Sequence, residues 1–114
     1  MAITYFQDTI FQTDSALSAI GVGTALLVAV NNTFSTRDYT LIATVATINT
    51  NVIVSLEGSI DGTNYAEIIT EKTITANGTY IYKAFSHPVR WIRPRFVSEA
   101  GGTAATVVFS LAAA

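Results

Sequence analysis

The stretch V-I-V-S-L-E-G-S-I-D-G-T-N-Y, Val52 to Tyr65, decides how this chain is read. Apolar residues alternate with small or polar ones until Asp61-Gly-Thr-Asn64 interrupts them, and an aromatic residue follows. That pattern predicts a half-buried strand running into a hairpin turn. With Asp61 to Asn64 as a four-residue loop, Ile60 falls opposite Tyr65 and Leu56 opposite Ile69. A two-residue loop would oppose Leu56 to Glu67, so apolar cross-strand pairing favours the longer loop. Asp61 and Asn64 can bond nearby backbone amides, and Gly62 supplies a positive φ that other residues resist.

The same alternation recurs outward from this hairpin. In Tyr39 to Ile48, Leu41, Ala43 and Val45 fall on one face, with Thr40, Thr44 and Ala46 on the other. Strands are predicted over Ile3 to Gln12, Thr24 to Val30, Tyr39 to Ile48, Asn51 to Ile60, Tyr65 to Thr75, Thr79 to Phe85, Val89 to Val97 and Ala104 to Ala112. Asn31-Asn-Thr33 and Ala100-Gly-Gly-Thr103 read as loops, and Asp14 to Ala19 carries a weak helical period. Eight such segments predict an all-β, single-domain antiparallel sandwich of jelly-roll type spanning residues 1–114. Asn77-Gly78 marks a second hairpin. A three-residue loop with left-handed Gly78 sets Glu71 across from Lys83 and Ile74 across from Tyr80, avoiding Lys72 against Lys83.

Composition bears on function. Hydrophobic residues make up 50% of the 114 and charged residues only 12%, with a net charge of -2. So little charge is awkward for a free monomer and implies that partner subunits hide part of the surface. No basic footprint marks a nucleic-acid partner. There is no cysteine, which excludes disulfides and thiol chemistry. The N-terminus lacks the pattern of a signal peptide. Ser15 to Thr36 is uncharged, but its apolar core, Ala25 to Val30, is too short for a membrane span. The sequons at Asn31 and Asn77 are therefore expected to be inert.

Three of the six basic residues lie in Arg90-Trp-Ile-Arg-Pro-Arg95. On a strand, Trp91, Arg93 and Arg95 share one face, and Pro94 predicts an edge or bulged position. An aromatic ring among guanidinium groups can bind carbohydrate, phosphate or an acidic surface. The plainer alternative pairs the arginines with Glu57, Glu67 or Glu99 and places Trp91 at the core rim or a subunit interface. Glu57, Ser59, Asp61, Asn64 and Glu67 invite a calcium reading; the EF-hand pattern fails because Ile68 stands at its twelfth position, which leaves a loop site of another kind open. His87 stands alone before Pro88 in a predicted loop. Gly21-Val-Gly23 has no following helix or lysine. No catalytic set emerges, no cofactor is implied, and no enzyme activity is expected.

The order Leu56-Glu-Gly-Ser-Ile-Asp-Gly-Thr-Asn-Tyr65, Thr75-Ala-Asn-Gly-Thr79 and Val89-Arg-Trp-Ile-Arg-Pro-Arg95 resembles small tailed-bacteriophage virion proteins. Thr75, Gly78, Tyr80, Gly101 and Gly102 fall in the matching order over the C-terminal 60 or so residues. The resemblance implies a capsid decoration protein or a neck or tail accessory. Such a protein is made in the host cytoplasm, carried on the virion, and partnered by its own copies and other virion proteins. A fainter similarity to discoidin-like sandwiches implies the alternative of a glycan-binding adhesion module, with Trp91, Tyr65 or Tyr80 as a stacking platform. Tyr5, Phe6 and Phe11 put large apolar groups on both sides of the first strand, so residues 1–12 read either as a docking strand or arm or as an edge strand covered within its own sandwich.

Overall fold

The computed structural model describes residues 10–13, 17–29 and 37–114. They form nine strands: β1 (Ile10–Thr13), β2 (Gly21–Val22), β3 (Leu26–Leu27), β4 (Arg37–Ala46), β5 (Asn51–Ser59), β6 (Ala66–Ile74), β7 (Gly78–His87), β8 (Trp91–Ala100) and β9 (Thr106–Ala113). The first sheet has the order β1-β9-β4-β7. The second has β2-β8-β5-β6, with β3 also paired to β8. Every pairing is antiparallel. If β2 and β3 are counted as one interrupted strand, the eight strands run 1-8-3-6 in one sheet and 2-7-4-5 in the other. That is the jelly-roll arrangement, and the expected all-β sandwich is the fold of the protein.

The core lies between the sheets and follows the period-2 pattern. Tyr39, Leu41, Ala43 and Val45 of β4 face Val52, Val54 and Leu56 of β5, joined by Ile92 and Phe96 of β8 and by Val107, Phe109 and Leu111 of β9. Two polar contacts are built into its rim. The Tyr39 hydroxyl donates to the His87 carbonyl at 2.7 Å. Arg37, only 3% exposed, donates from Nε to the Val28 carbonyl at 2.7 Å. Burial pushes the Tyr39 phenol above its ordinary pKa.

Several expectations need correction. Asn77-Gly78 does not close a hairpin: β6 pairs with β5, whereas β7 pairs with β4 in the other sheet. Lys83 therefore lies opposite Thr40, Tyr80 opposite Ala43, and Ile74 opposite Val52. The chain crosses between sheets here, and the Asn77 side-chain oxygen accepts the Ile48 amide at 2.9 Å. This bond ties the crossover to the neighbouring β4–β5 corner, which also changes sheets. Gly78 takes φ 154°, far from the left-handed turn expected of it. Placing β6 and β7 in different sheets gives each sheet a closing edge strand, and Ile68, Tyr80 and Tyr82 pack against the core from both edges.

Leu56 does lie opposite Ile69, but the pairing closes at Gly58–Ala66 rather than Ile60–Tyr65, because bulges flank Leu56. Ile60 is 60% exposed. The predicted Thr24 to Val30 strand is the two-residue β3, and Gly21–Val22 forms an additional strand. Leu17, inside the predicted helical turn, instead bridges Val107 in extended fashion. His87 ends β7 rather than lying in a loop. Of the predicted first strand, Ile10 to Gln12 belongs to β1, which pairs with β9. Tyr5, Phe6 and Asn31-Asn-Thr33 lie outside the described residues, and Phe11 is placed by its backbone, opposite Ala112. Among the described residues no helix is long and apolar enough to cross a membrane.

Pro94 is not on an outer edge strand, but its strand is bulged as the alternative had it, with Val97 the extra residue between Phe96 and Ser98. Pro94 sits in β8, between β5 and the β2–β3 pair. Its carbonyl accepts the Gly23 amide at 2.8 Å, so its nitrogen, which carries no hydrogen, also points toward that side. β2 ends at Val22 opposite Arg95, and β3 resumes at Leu26 opposite Ile92. The missing donor thus coincides with the break between the two short strands.

Candidate functional site

β8 alternates strictly along its first half, with Ile92, Pro94 and Phe96 inward and Trp91, Arg93 and Arg95 on the outer face of the second sheet. Glu57 of β5 pairs directly with Arg93 and lies on the same face. Arg93 Nε donates to Glu57 Oε1 at 2.8 Å, and Arg95 Nη1 to Oε2 at 3.3 Å. The guanidinium of Arg93 also stacks 3.7 Å from the centre of the Tyr65 ring. This packing leaves the Glu57 side chain only 7% exposed on an outward-facing surface. Of the other candidate acids, Glu67 is exposed opposite Glu57, and Glu99 instead accepts the Ala105 amide at 2.9 Å.

The neighbouring turn is closed on itself. Asp61 Oδ1 accepts the amides of Thr63 and Asn64, both at 2.8 Å, and Oδ2 accepts the Asn64 side-chain amide at 2.7 Å. The Ser59 hydroxyl donates to Oδ1 at 2.9 Å and accepts the Gly62 amide at 2.9 Å. The Asn64 and Thr63 amides, then the side chains of Asn64 and Ser59, hold the Asp61 carboxyl well below the usual carboxylate range. Gly62 adopts φ 79°, and a Cβ there would lie 3.4 Å from the Trp91 ring. Arg90 lies 5.0 Å from the same ring.

Each candidate on this face therefore has an internal partner. Glu57 and Asp61, the acids of the calcium reading, spend their oxygens on arginines and turn donors. Among the described residues no group of three or more His, Asp or Glu is placed to hold a metal. Of the three aromatics that the glycan reading offered as alternative platforms, two share a face. Tyr65 and Trp91 belong to the second sheet's outer side, whereas Tyr80 lies opposite Ala43 on the inner side of the first sheet, its hydroxyl donating to the Ala76 carbonyl. A groove of about 460 Å³ runs between the open edges β6 and β7, past Ile68, Thr70, Lys72, Ile81, Tyr82 and Lys83. Its lining sets two lysines and the side chains of Thr70 and Tyr82 among isoleucines.

The outer face of the first sheet is different, and local motif reading missed it. β4 presents Thr40, Ile42, Thr44 and Ala46 outward, because its odd-numbered residues are buried. β9 presents Thr106, Val108, Ser110 and Ala112. On β7, Thr79, Ile81, Lys83 and Phe85 are exposed. The Thr44 and Thr79 hydroxyls bond each other at 3.1 Å. The only charges on this face among the described residues are Asp38 and Lys83, near one end. Ile81 is 58% and Phe85 64% exposed. The second sheet gathers Glu57, Glu67, Arg93 and Arg95 on its outer side, so the two faces differ sharply in charge.

No family model matches the chain, and no curated protein matches it. Among solved structures it is similar to the SPBc2 prophage-derived protein YomS, with a TM-score of 0.58 and 10% identity, covering 100% of this chain and 99% of that one. It is also similar, with a TM-score of 0.45 and 11% identity, to a structure of the disulfide-linked pili of Bacillus endospore appendages, over 92% of this chain and 85% of that one. The Yersinia pseudotuberculosis-derived mitogen gives a TM-score of 0.37 at 18% identity, over 92% and 83% of the two chains. Of these three, the first is close enough to bear on the architecture, and it shows a shared fold.

Proposed function

We propose that this chain is a non-enzymatic structural subunit of a bacteriophage particle, working by burying its surface against other subunits. The observation that carries the proposal is the outer face of the first sheet, where Ile42, Ile81, Phe85 and Val108 are outward on a surface whose only charges among the described residues are Asp38 and Lys83. Aliphatic and aromatic groups so arranged favour contact over solvation. The sequence resemblance to virion proteins and the fold shared with a prophage-derived protein support the phage setting. Jelly rolls also serve as lectins, so fold alone does not decide between assembly and glycan binding. The polar groups beside Tyr65 and Trp91 are taken up internally, Arg93 by Glu57 and Asp61 by its own turn, which favours assembly.

The role is tested by antibody detection of the chain in density-banded particles from cells that express it natively. It is expected in the particle band, at constant ratio to the major shell protein through repeated banding. A chain left wholly in the soluble fraction would contradict the role.

A further inference from the structure

The charge-poor face invites the question of what covers it. We infer that a second copy of this chain does, sheet stacked on sheet about a twofold axis passing near Ile42 and Ser110. The inference rests on the reading of the chain as an assembly subunit and adds the surface and its occupant.

Area, charge and edge geometry argue for a second copy. β4, β7 and β9 are ten, ten and eight residues long. At about 4.8 Å between strands and about 3.4 Å per residue, the three strands with β1 beside them offer roughly 500 Å² in plan. Side-chain relief brings the accessible area toward the roughly 800 Å² per partner typical of a stable interface. Among the described residues the face is neutral, with Asp38 and Lys83 near one end, so it calls for no oppositely charged partner. A twofold placed at Ile42, which lies between Ser110 and Ile81 in the sheet, keeps the like charges of the two copies apart. An isologous contact of this kind closes on itself.

The competing mode, edge-to-edge pairing through β7, is obstructed. The β4–β7 register shifts between Arg37 and Tyr39, and Ser86 opposite this irregularity takes φ 59°. Such a bulge twists an edge away from continuation, and Lys83 adds a charge to it.

Val108 separates the modes, because it is on β9, two strands from the β7 edge. Val108→Lys should lower the light-scattering mass to that of a monomer and weaken self-association at least tenfold, while Arg93→Ala leaves the wild-type mass. The chain has no cysteine, so single-cysteine variants report proximity even if Val108→Lys fails to fold. Facing sheets stack about 10 Å apart, so a bis-maleimide of about that span should link Ser110→Cys copies and leave Glu67→Cys copies unlinked. An oligomer that keeps its mass in folded Val108→Lys, or that links through Glu67→Cys but not Ser110→Cys, overturns the placement and leaves the assembly reading intact. A wild-type chain that is monomeric at high concentration overturns the second copy as occupant, whereas its absence from banded particles is what overturns the assembly reading.

Discussion

Arg93 and Glu57 meet at 2.8 Å across the β8–β5 pair, with the acid almost wholly buried and the arginine stacked on Tyr65. A carboxylate this enclosed on an outward face is covered by its own partners. The Arg93–Glu57–Arg95 cluster is thus a structural clasp across the second sheet.

Replacing Glu57 with Gln should cost about 1–2 kcal/mol. The charge is lost, and the amide keeps one acceptor oxygen while turning an NH2 donor toward the second arginine, both arginines remaining partly in water. Arg95→Ala should cost less than about 1 kcal/mol, because Arg95 is 41% exposed and its contact is longer. Urea unfolding of the two variants checks the order. Equal losses would mean that the clasp does not centre on Arg93.

Gly62 and Gly101 should resist substitution for different reasons. At Gly62 the cost is mainly the positive φ, about 1–2 kcal/mol for Gly62→Ala. At Gly101, φ is 84°, and a Cβ would meet the Thr50 Cβ at 2.9 Å and its backbone nitrogen at 3.2 Å. Gly101→Ala should therefore cost at least about 2 kcal/mol. Thermal unfolding should rank Gly101→Ala as the more damaging; the reverse ranking would place the strain in the wrong loop.

How far the sequence could be read follows from these residues. Alternation in β4 and β8 identified the inward faces, and the Leu56–Ile69 pairing was legible because apolar matching is local to one hairpin. The Asn77 crossover was not, because the bond that fixes it reaches Ile48, 29 residues away, and Asn-Gly signals a turn without saying which sheet follows. Gly21–Val22 was hidden by its brevity, and the position of Pro94 by the split partner strand it faces. The charge-poor face was invisible until three strands distant in sequence were set side by side.

Thr47 holds φ 60° at the β4–β5 corner, a conformation that costs a β-branched residue about 1–2 kcal/mol. Thr47→Gly should relieve it and, after the entropy cost of glycine, stabilise by about 0.5 kcal/mol. Chemical denaturation reads this directly; a loss of stability would show that the corner depends on the threonine side chain.

Asp61 predicts an acid-sensitive turn. Its folded pKa lies below the ordinary value, so its ionised form stabilises the fold above about pH 4 and that contribution is lost as pH falls further. Asp61→Asn should flatten the stability profile below about pH 4 relative to wild type. Parallel acid profiles for the two proteins would remove Asp61 from the cause.

The central claim is that a second copy of the chain covers the first sheet's outer face, and the molar mass of the untagged wild-type chain across a dilution series tests it most directly. The account predicts a dimer or larger species persisting to about 10 μM, the range expected of a modest but specific interface. A monodisperse monomer up to about 1 mM would contradict it.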